Sequence, residues 1–234
     1  MPITDSYKLF VDYFSNRSFS EDQFIQWGLD HIIFVNKDIA EKEWEIIKQN
    51  WNNNQDLWIR NSGRNGQSSK LYTDFFALFN KTVKFDATNN NKPTAAIQRA
   101  LNKVKYKSGH TENSRKDILQ NYQVSHIWGH TKNPLLFISP WNICFVPKMF
   151  DPFTGHEAKG PLVKKFQLSF IEKAKILYAD LINDYNNFIN REILQTGLID
   201  QYIHTIESEY KNGKIPKKTF EDFQKNIKEE FSLL

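Results

Sequence analysis

The sequence predicts a mainly helical α+β protein, and three observations carry that expectation. Apolar residues recur at three- and four-residue spacing in most long windows, the period of one face of an α-helix. Only 9 of 234 residues are glycine, few for the tight turns of a β-sandwich or barrel. Two short apolar runs, residues 122–128 and 141–147, read instead as strands. With 40% hydrophobic and 25% charged residues, the composition is that of a globular protein, and the chain is long enough to bury a core.

Tyr7, Phe10, Val11 and Phe14 sit at helical spacing and predict a short amphipathic helix over residues 5–15. Ser20, followed by Glu21, Asp22 and Gln23, predicts an N-cap and an acidic first turn, with a helix running to about Val35. A third helix starts at Asn36 or Lys37, runs through Ile39, Trp44, Ile47 and Trp51, and stops at the polar run 52–55. Residues 57–60 read as a short strand and 61–70 as a polar loop. A helix over 69–80, an extended segment at 83–86 and a basic helix over 94–106 follow, with 107–113 as a linker. Pro161 suits the first turn of a long C-terminal helix reaching Leu194. Phe166, Phe170, Ala174, Leu177, Leu181, Tyr185 and Phe188 form its apolar stripe. Helices over 199–210 and 218–231 complete the chain, with Gly213 and Pro216 marking the turn between them.

The net charge of +4 is modest but segregated. Residues 1–54 hold five Lys/Arg against nine Asp/Glu, whereas 81–118 hold nine against three. Further basic clusters run through Lys159, Lys164 and Lys165, and through Lys211, Lys214, Lys217 and Lys218. Such stretches suit a surface that tracks phosphates, because each neutralised phosphate releases counterions. Solubilising lysines on helix faces give the same composition. The 61–70 loop carries side chains that read base edges: Arg64 can fork to guanine, and Asn65 or Gln67 to adenine. Arg60, Lys70, Lys92 and Arg99 join them as DNA-binding candidates.

Several classes are excluded. A single cysteine, Cys144, leaves no disulfide framework, CxxC redox site or cysteine-rich zinc knuckle. No P-loop, GxGxxG or GxSxG occurs, which removes support for a nucleotide cofactor or a serine hydrolase. The Glu-X-Lys strand of the other common nuclease core is missing too. The longest apolar runs fall far short of a membrane span and no charged-then-apolar leader opens the chain, so a cytoplasmic protein without a membrane partner is expected.

The chemistry concentrates in residues 119–166. His126 ends one predicted strand, Asn142 opens the next, and Asp151 or His156 follows toward a helix. That order suits a one-metal phosphodiesterase. The histidine takes the proton from an attacking water, and the asparagine carbonyl holds the imidazole in the right tautomer. A hard divalent cation, most simply Mg²⁺, neutralises the scissile phosphate and stabilises the leaving 3′ oxygen. Ser125 and His126, the run from Trp141 and Asn142 to Pro147, and Asp151 or His156 together resemble the HNH, or ββα-metal, nuclease superfamily. The resemblance implies an embedded ββα-metal catalytic unit in which His126 is the general base and Asn142 orients it. It also implies a metal ligand about nine residues past Asn142. Asp151 stands at that spacing with a hard anionic oxygen, while His156 has the family's residue type, and both stay open as ligands. Ser125 occupies the position where the family often has a ligating Asp. One Mg²⁺ per active site, with Mn²⁺ as a plausible substitute, follows from the resemblance.

About half the chain precedes this unit and includes the base-reading loop. A free-standing nuclease of that kind resembles a type II restriction endonuclease. The resemblance implies sequence-specific cleavage of double-stranded DNA by a homodimer, since symmetric sites are matched by symmetric proteins. The competing readings are a non-catalytic nucleic-acid-binding protein and a non-specific HNH nuclease toxin. On this reading the chain divides into a helical N-terminal region (1–55), a DNA-recognition region (56–118), the catalytic unit (119–172) and a helical C-terminal region (173–234).

Overall fold

The computed structural model describes residues 11–12, 14–15, 20–62, 66–101, 105–106, 118–119, 121–155 and 157–234. Most of the helix expected over 5–15, and all of the linker at 107–113, lie outside these. Helix α1 (Glu21–Asp30) opens with a capping box, in which Ser20 Oγ accepts from Gln23 N and the Gln23 side chain accepts from Ser20 N. It ends at Asp30 rather than near Val35, because Ile33 leaves the helix to exchange two backbone hydrogen bonds with Phe145. Helix α2 (Lys37–Asn52) starts where expected, with the Asn36 side chain accepting from Asp38 N.

Strand β1 (Trp58–Arg60), helix α3 (Gly66–Ala77) and strand β2 (Lys84–Asp86) form a crossover. β1 and β2 pair in parallel, with Trp58 opposite Lys84 and Arg60 opposite Asp86. The buried Asp86 carboxylate accepts from Thr88 N, Thr88 Oγ1 and Lys92 N, and so starts helix α4 (Asn91–Leu101) three residues ahead of the expected position. The basic helix expected to reach Tyr106 ends at Leu101. Strand β3 (Lys105–Tyr106) follows and pairs in parallel with β4 (Ile118–Leu119).

Strands β5 (Tyr122–His126) and β6 (Ile143–Pro147) are antiparallel, with His126 opposite Ile143 and Tyr122 opposite Pro147. The chain between them carries helix α5 (Pro134–Phe137) and a 3₁₀ turn (Pro140–Asn142), so the strand expected from Trp141 begins only at Ile143. Ile143, Cys144, Phe145 and Val146 are fully buried, since β6 has β5 on one edge and Ile33 on the other. Helix α6 (Asp151–Thr154) is a single turn.

The long helix expected from Pro161 to Leu194 is two helices, α7 (Pro161–Leu177) and α8 (Ala179–Glu192). They break at Tyr178, whose buried ring sends its hydroxyl onto the Val35 carbonyl at 2.7 Å. Helices α9 (Leu198–Lys211) and α10 (Lys217–Glu230) lie close to their expected ranges. Trp141 sits at the centre of the core, 5.9 Å from Trp44, 5.5 Å from Trp128 and 5.8 Å from Tyr185 between ring centroids. Buried residues from all four sequence regions join this core. The protein is thus mainly helical α+β. Among the described residues, no helix is long and apolar enough to cross a membrane.

Candidate functional site

His126 lies at the end of β5, half-buried, with its ring stacked on Phe137 at 5.5 Å. Its Nε2 donates to the Phe137 carbonyl at 2.9 Å, which leaves Nδ1 as the unprotonated nitrogen of the neutral ring. Burial pushes its pKa down to about 4. The Phe137 carbonyl opposes that shift, and the charge of Arg60 adds to it.

Asn142 does not hold the imidazole, which corrects the role expected for it. Its amide is fully buried and tied to the β5–β6 connection: Oδ1 accepts from Trp128 N at 3.0 Å, and Nδ2 donates to the Gly129 and Leu136 carbonyls at 3.1 Å each. The Phe137 carbonyl, one residue beyond Leu136, does the work assigned to the asparagine. Asn142 therefore acts on His126 through the loop that carries Phe137.

Arg60 ends β1, and its backbone N–H donates to Thr131 in the same connection. Its side chain is exposed and makes no ion pair among the described residues. Lys132 holds the strand end in place, donating from Nζ to the Arg60 carbonyl at 2.5 Å and to Ser62 Oγ at 2.7 Å. Burial lowers the Lys132 pKa to about 8. The Lys132 backbone N–H donates to Glu230 Oε2 at 2.8 Å, and the Glu230 carbonyl accepts from Asn133 Nδ2 and His130 Nδ1. Burial raises the Glu230 carboxyl to about 7, against the Lys132 N–H and charge. The end of α10 thus braces the connection on which His126 and Arg60 both depend.

Ser125 faces the other way, as strand alternation requires. Its hydroxyl lies 3.1 Å from Thr154 Oγ1, which donates to the Asp151 carbonyl. Asp151 is the first residue of α6, whose N-cap position is held by Phe150. Its pKa is raised, by burial first and then by the charge of Glu157. Glu157 folds back over Gly155, its Oε2 filling the space that a Cβ on that glycine would take. Ser125 therefore reaches α6 through Thr154 and the Asp151 backbone carbonyl, on the face of β5 away from the His126 ring. His156 lies outside the described residues. Among those described, no group of three or more His, Cys, Asp or Glu is placed to hold a metal ion.

A family profile with the description "Uncharacterised protein PM1201" matches residues 35–234. A Pasteurella multocida (strain Pm70) protein of the same description is 36% identical over 231 residues, covering 96% of each chain. The chain belongs to the PM1201 family. No solved structure matches it.

In this PM1201-family chain the DNA-binding candidates divide sharply. Arg64 and Asn65 lie outside the described residues. Gln67 donates its amide to the Lys214 carbonyl, Lys70 pairs with Asp74, and Arg99 forks onto Glu43. Those three are occupied within the protein rather than presented as an open reading surface. Lys92 lies over the Trp58 ring with Nζ 3.8 Å from its centroid, and Arg60 is exposed, with its charge felt at His126. Sequence reasoning missed Lys132, Glu230 and Glu157. For the first two no local signal existed, because they meet across 98 residues. Glu157 was visible as a second carboxylate six residues past Asp151.

Proposed function

We propose that this protein is a metal-dependent DNA endonuclease of the ββα-metal type, acting on double-stranded DNA in the manner of a type II restriction enzyme. The observation that carries the reading is a neutral His126, held in one tautomer by the Phe137 carbonyl with Nδ1 unprotonated, within the field of Arg60, whose side chain makes no ion pair among the described residues. Nδ1 takes a proton from water as the water oxygen bonds to phosphorus, and the bond to the 3′ oxygen breaks. Arg60 holds a non-bridging phosphate oxygen, for which its planar fork is suited. A phosphate on Arg60 would also remove the smaller, electrostatic part of what depresses His126, burial being the larger part.

Asp151, Glu157 and the Ser125 hydroxyl supply hard oxygen donors that fit Mg²⁺, which asks for one or two carboxylates and otherwise keeps water. Burial raises Asp151 first, and the smaller contribution from the charge of Glu157 is the part that a divalent cation would relieve. These donors lie on the face of β5 away from the His126 ring, so a cation held by them would neutralise charge on a neighbouring stretch of the DNA backbone rather than on the phosphate that Arg60 holds. Action as a homodimer on a symmetric site belongs to the same proposal.

The test is incubation of the full chain with plasmid and Mg²⁺, beside His126→Ala. Discrete fragments with the parent and at least a hundredfold slower cutting by the variant are expected, the typical effect of losing a general base being about 10² to 10⁴. A smear from the parent points to a non-specific nuclease, and an intact plasmid overturns the catalytic reading.

A further inference from the structure

The β1–β2 ribbon presents two faces of opposite character. Ile59 is fully buried and Phe85 is packed against the core. Trp58, Arg60 and Lys84 lie on the other face, since residues two apart on a strand, and residues in register across it, share a side. Lys84 Nζ stands 5.5 Å from the centroid of the Trp58 ring, and Lys92 reaches the same ring at 3.8 Å from the start of α4.

What separates Lys92 from Lys70 and Arg99 is the nature of its partner. A carboxylate cancels the charge it holds, as Asp74 does for Lys70 and Glu43 for Arg99. An indole face attracts an ammonium through its quadrupole and leaves the full positive charge to act outward. Lys92 makes no ion pair among the described residues, whereas Lys84 also reaches the exposed Asp56 at 3.4 Å, which offsets part of its charge. Asp86, in register with Arg60, is buried and gives its oxygens to Thr88 and the Lys92 backbone. The strip Arg60–Trp58–Lys84/Lys92 therefore carries a net positive charge, least offset at Arg60 and Lys92.

We propose that this ribbon face is the path of a DNA backbone leading away from His126, with Arg60 on the phosphate to be cut and Lys84 and Lys92 on phosphates along the same duplex. This deepens the nuclease reading and rests on it for the role of Arg60. Trp58 serves to hold two ammoniums on one ridge without neutralising them.

The test is the salt dependence of binding of the full chain to a fluorescein-labelled, mixed-sequence DNA duplex, followed by anisotropy in EDTA so that no cleavage occurs. Removing one lysine–phosphate pair should flatten the slope of log K against log salt by about 0.9. Lys84→Ala and Lys92→Ala should each do so, the double variant should do so about twice over, and Lys→Arg at both positions should keep the parental slope. Lys175→Ala, an exposed lysine on α7, should leave the slope alone. Parental slopes in both alanine variants, or no duplex binding by the parent at low salt, overturn the strip. Plasmid cleavage in Mg²⁺ run in parallel separates the two ideas. Cutting with unchanged slopes sinks the strip and spares the nuclease. Flattened slopes with an intact plasmid sink the nuclease and keep the strip as a DNA-binding surface.

Discussion

His126 is held neutral by burial and by the field of Arg60, against the pull of the Phe137 carbonyl, and this makes stability depend on pH. The folded-state pKa of about 4 lies below the ordinary 6.5, so folding favours the neutral ring. That contribution is complete above about pH 6.5 and is lost as pH falls toward 4. His126→Gln removes the titration, so its urea midpoint should fall less between pH 7 and pH 5 than the parent's does. Equal losses would show that the imidazole is not buried as described. Asp151 runs the other way. Its raised pKa means that ionisation costs stability as pH rises, with Glu157 contributing to the cost. Asp151→Asn should leave the protein as stable as the parent or more so at pH 7.5, while abolishing Mg²⁺-supported cleavage beyond rescue by excess metal. A marked loss of stability in a denaturant titration would instead make Asp151 a structural residue of α6.

At the scale of elements, the β5–β6 connection is a long loop made rigid by side chains. Asn142 closes it with three hydrogen bonds, Asn133 caps α5 and donates to Tyr185, and Ser139 donates to the Leu135 carbonyl. Asn142→Ala orphans Trp128 N and two carbonyls inside the protein, each costing about 1–3 kcal/mol where water cannot replace the missing partner. The variant should lose about 3 kcal/mol or more in urea unfolding on that basis. Its Trp128 amide should also exchange hydrogen faster than in the parent. Unchanged protection at Trp128 would mean that the loop holds its shape without the asparagine. Any cleavage defect in this variant should accompany the loosened loop, because the Asn142 amide does not touch the imidazole.

Over the whole molecule, the end of the chain closes the structure around the site. Phe231 is fully buried, 5.6 Å from Phe75 and 5.9 Å from Phe76 between ring centroids, and the Glu230 beside it braces Lys132. Asn186 brackets Leu234 by accepting from its backbone N–H and donating to its carbonyl. Phe231→Ala should cost about 3–5 kcal/mol, the usual effect of emptying a buried aromatic site. It should also weaken cleavage near the melting transition, since α10 supports the connection carrying Phe137. A loss below about 1 kcal/mol in urea unfolding would show that α10 is not part of the cooperative core.

The local chemistry of this chain was legible in its sequence. Ser20 and Asn36 cap their helices because side-chain oxygens satisfy the first free amides whatever lies beyond. The apolar stripe from Phe166 to Phe188 faces the core, and His126 and Asn142 fall in one strand–loop–strand unit as their spacing predicts. Distant partners were not legible. The stripe gave no sign of its break at Tyr178, because the hydroxyl that stabilises the turn answers to Val35, 143 residues earlier. The spacing of His126 and Asn142 suggested that the two side chains touch, but pleating and a buried amide direct Asn142 to the loop and leave the imidazole to a backbone carbonyl. Composition alone treated Arg60, Lys70, Lys92 and Arg99 as equals. Only the tertiary structure separates the charges cancelled by carboxylates from those held open by an indole face, because a cation's effect on a phosphate depends on which groups the fold has already placed beside it.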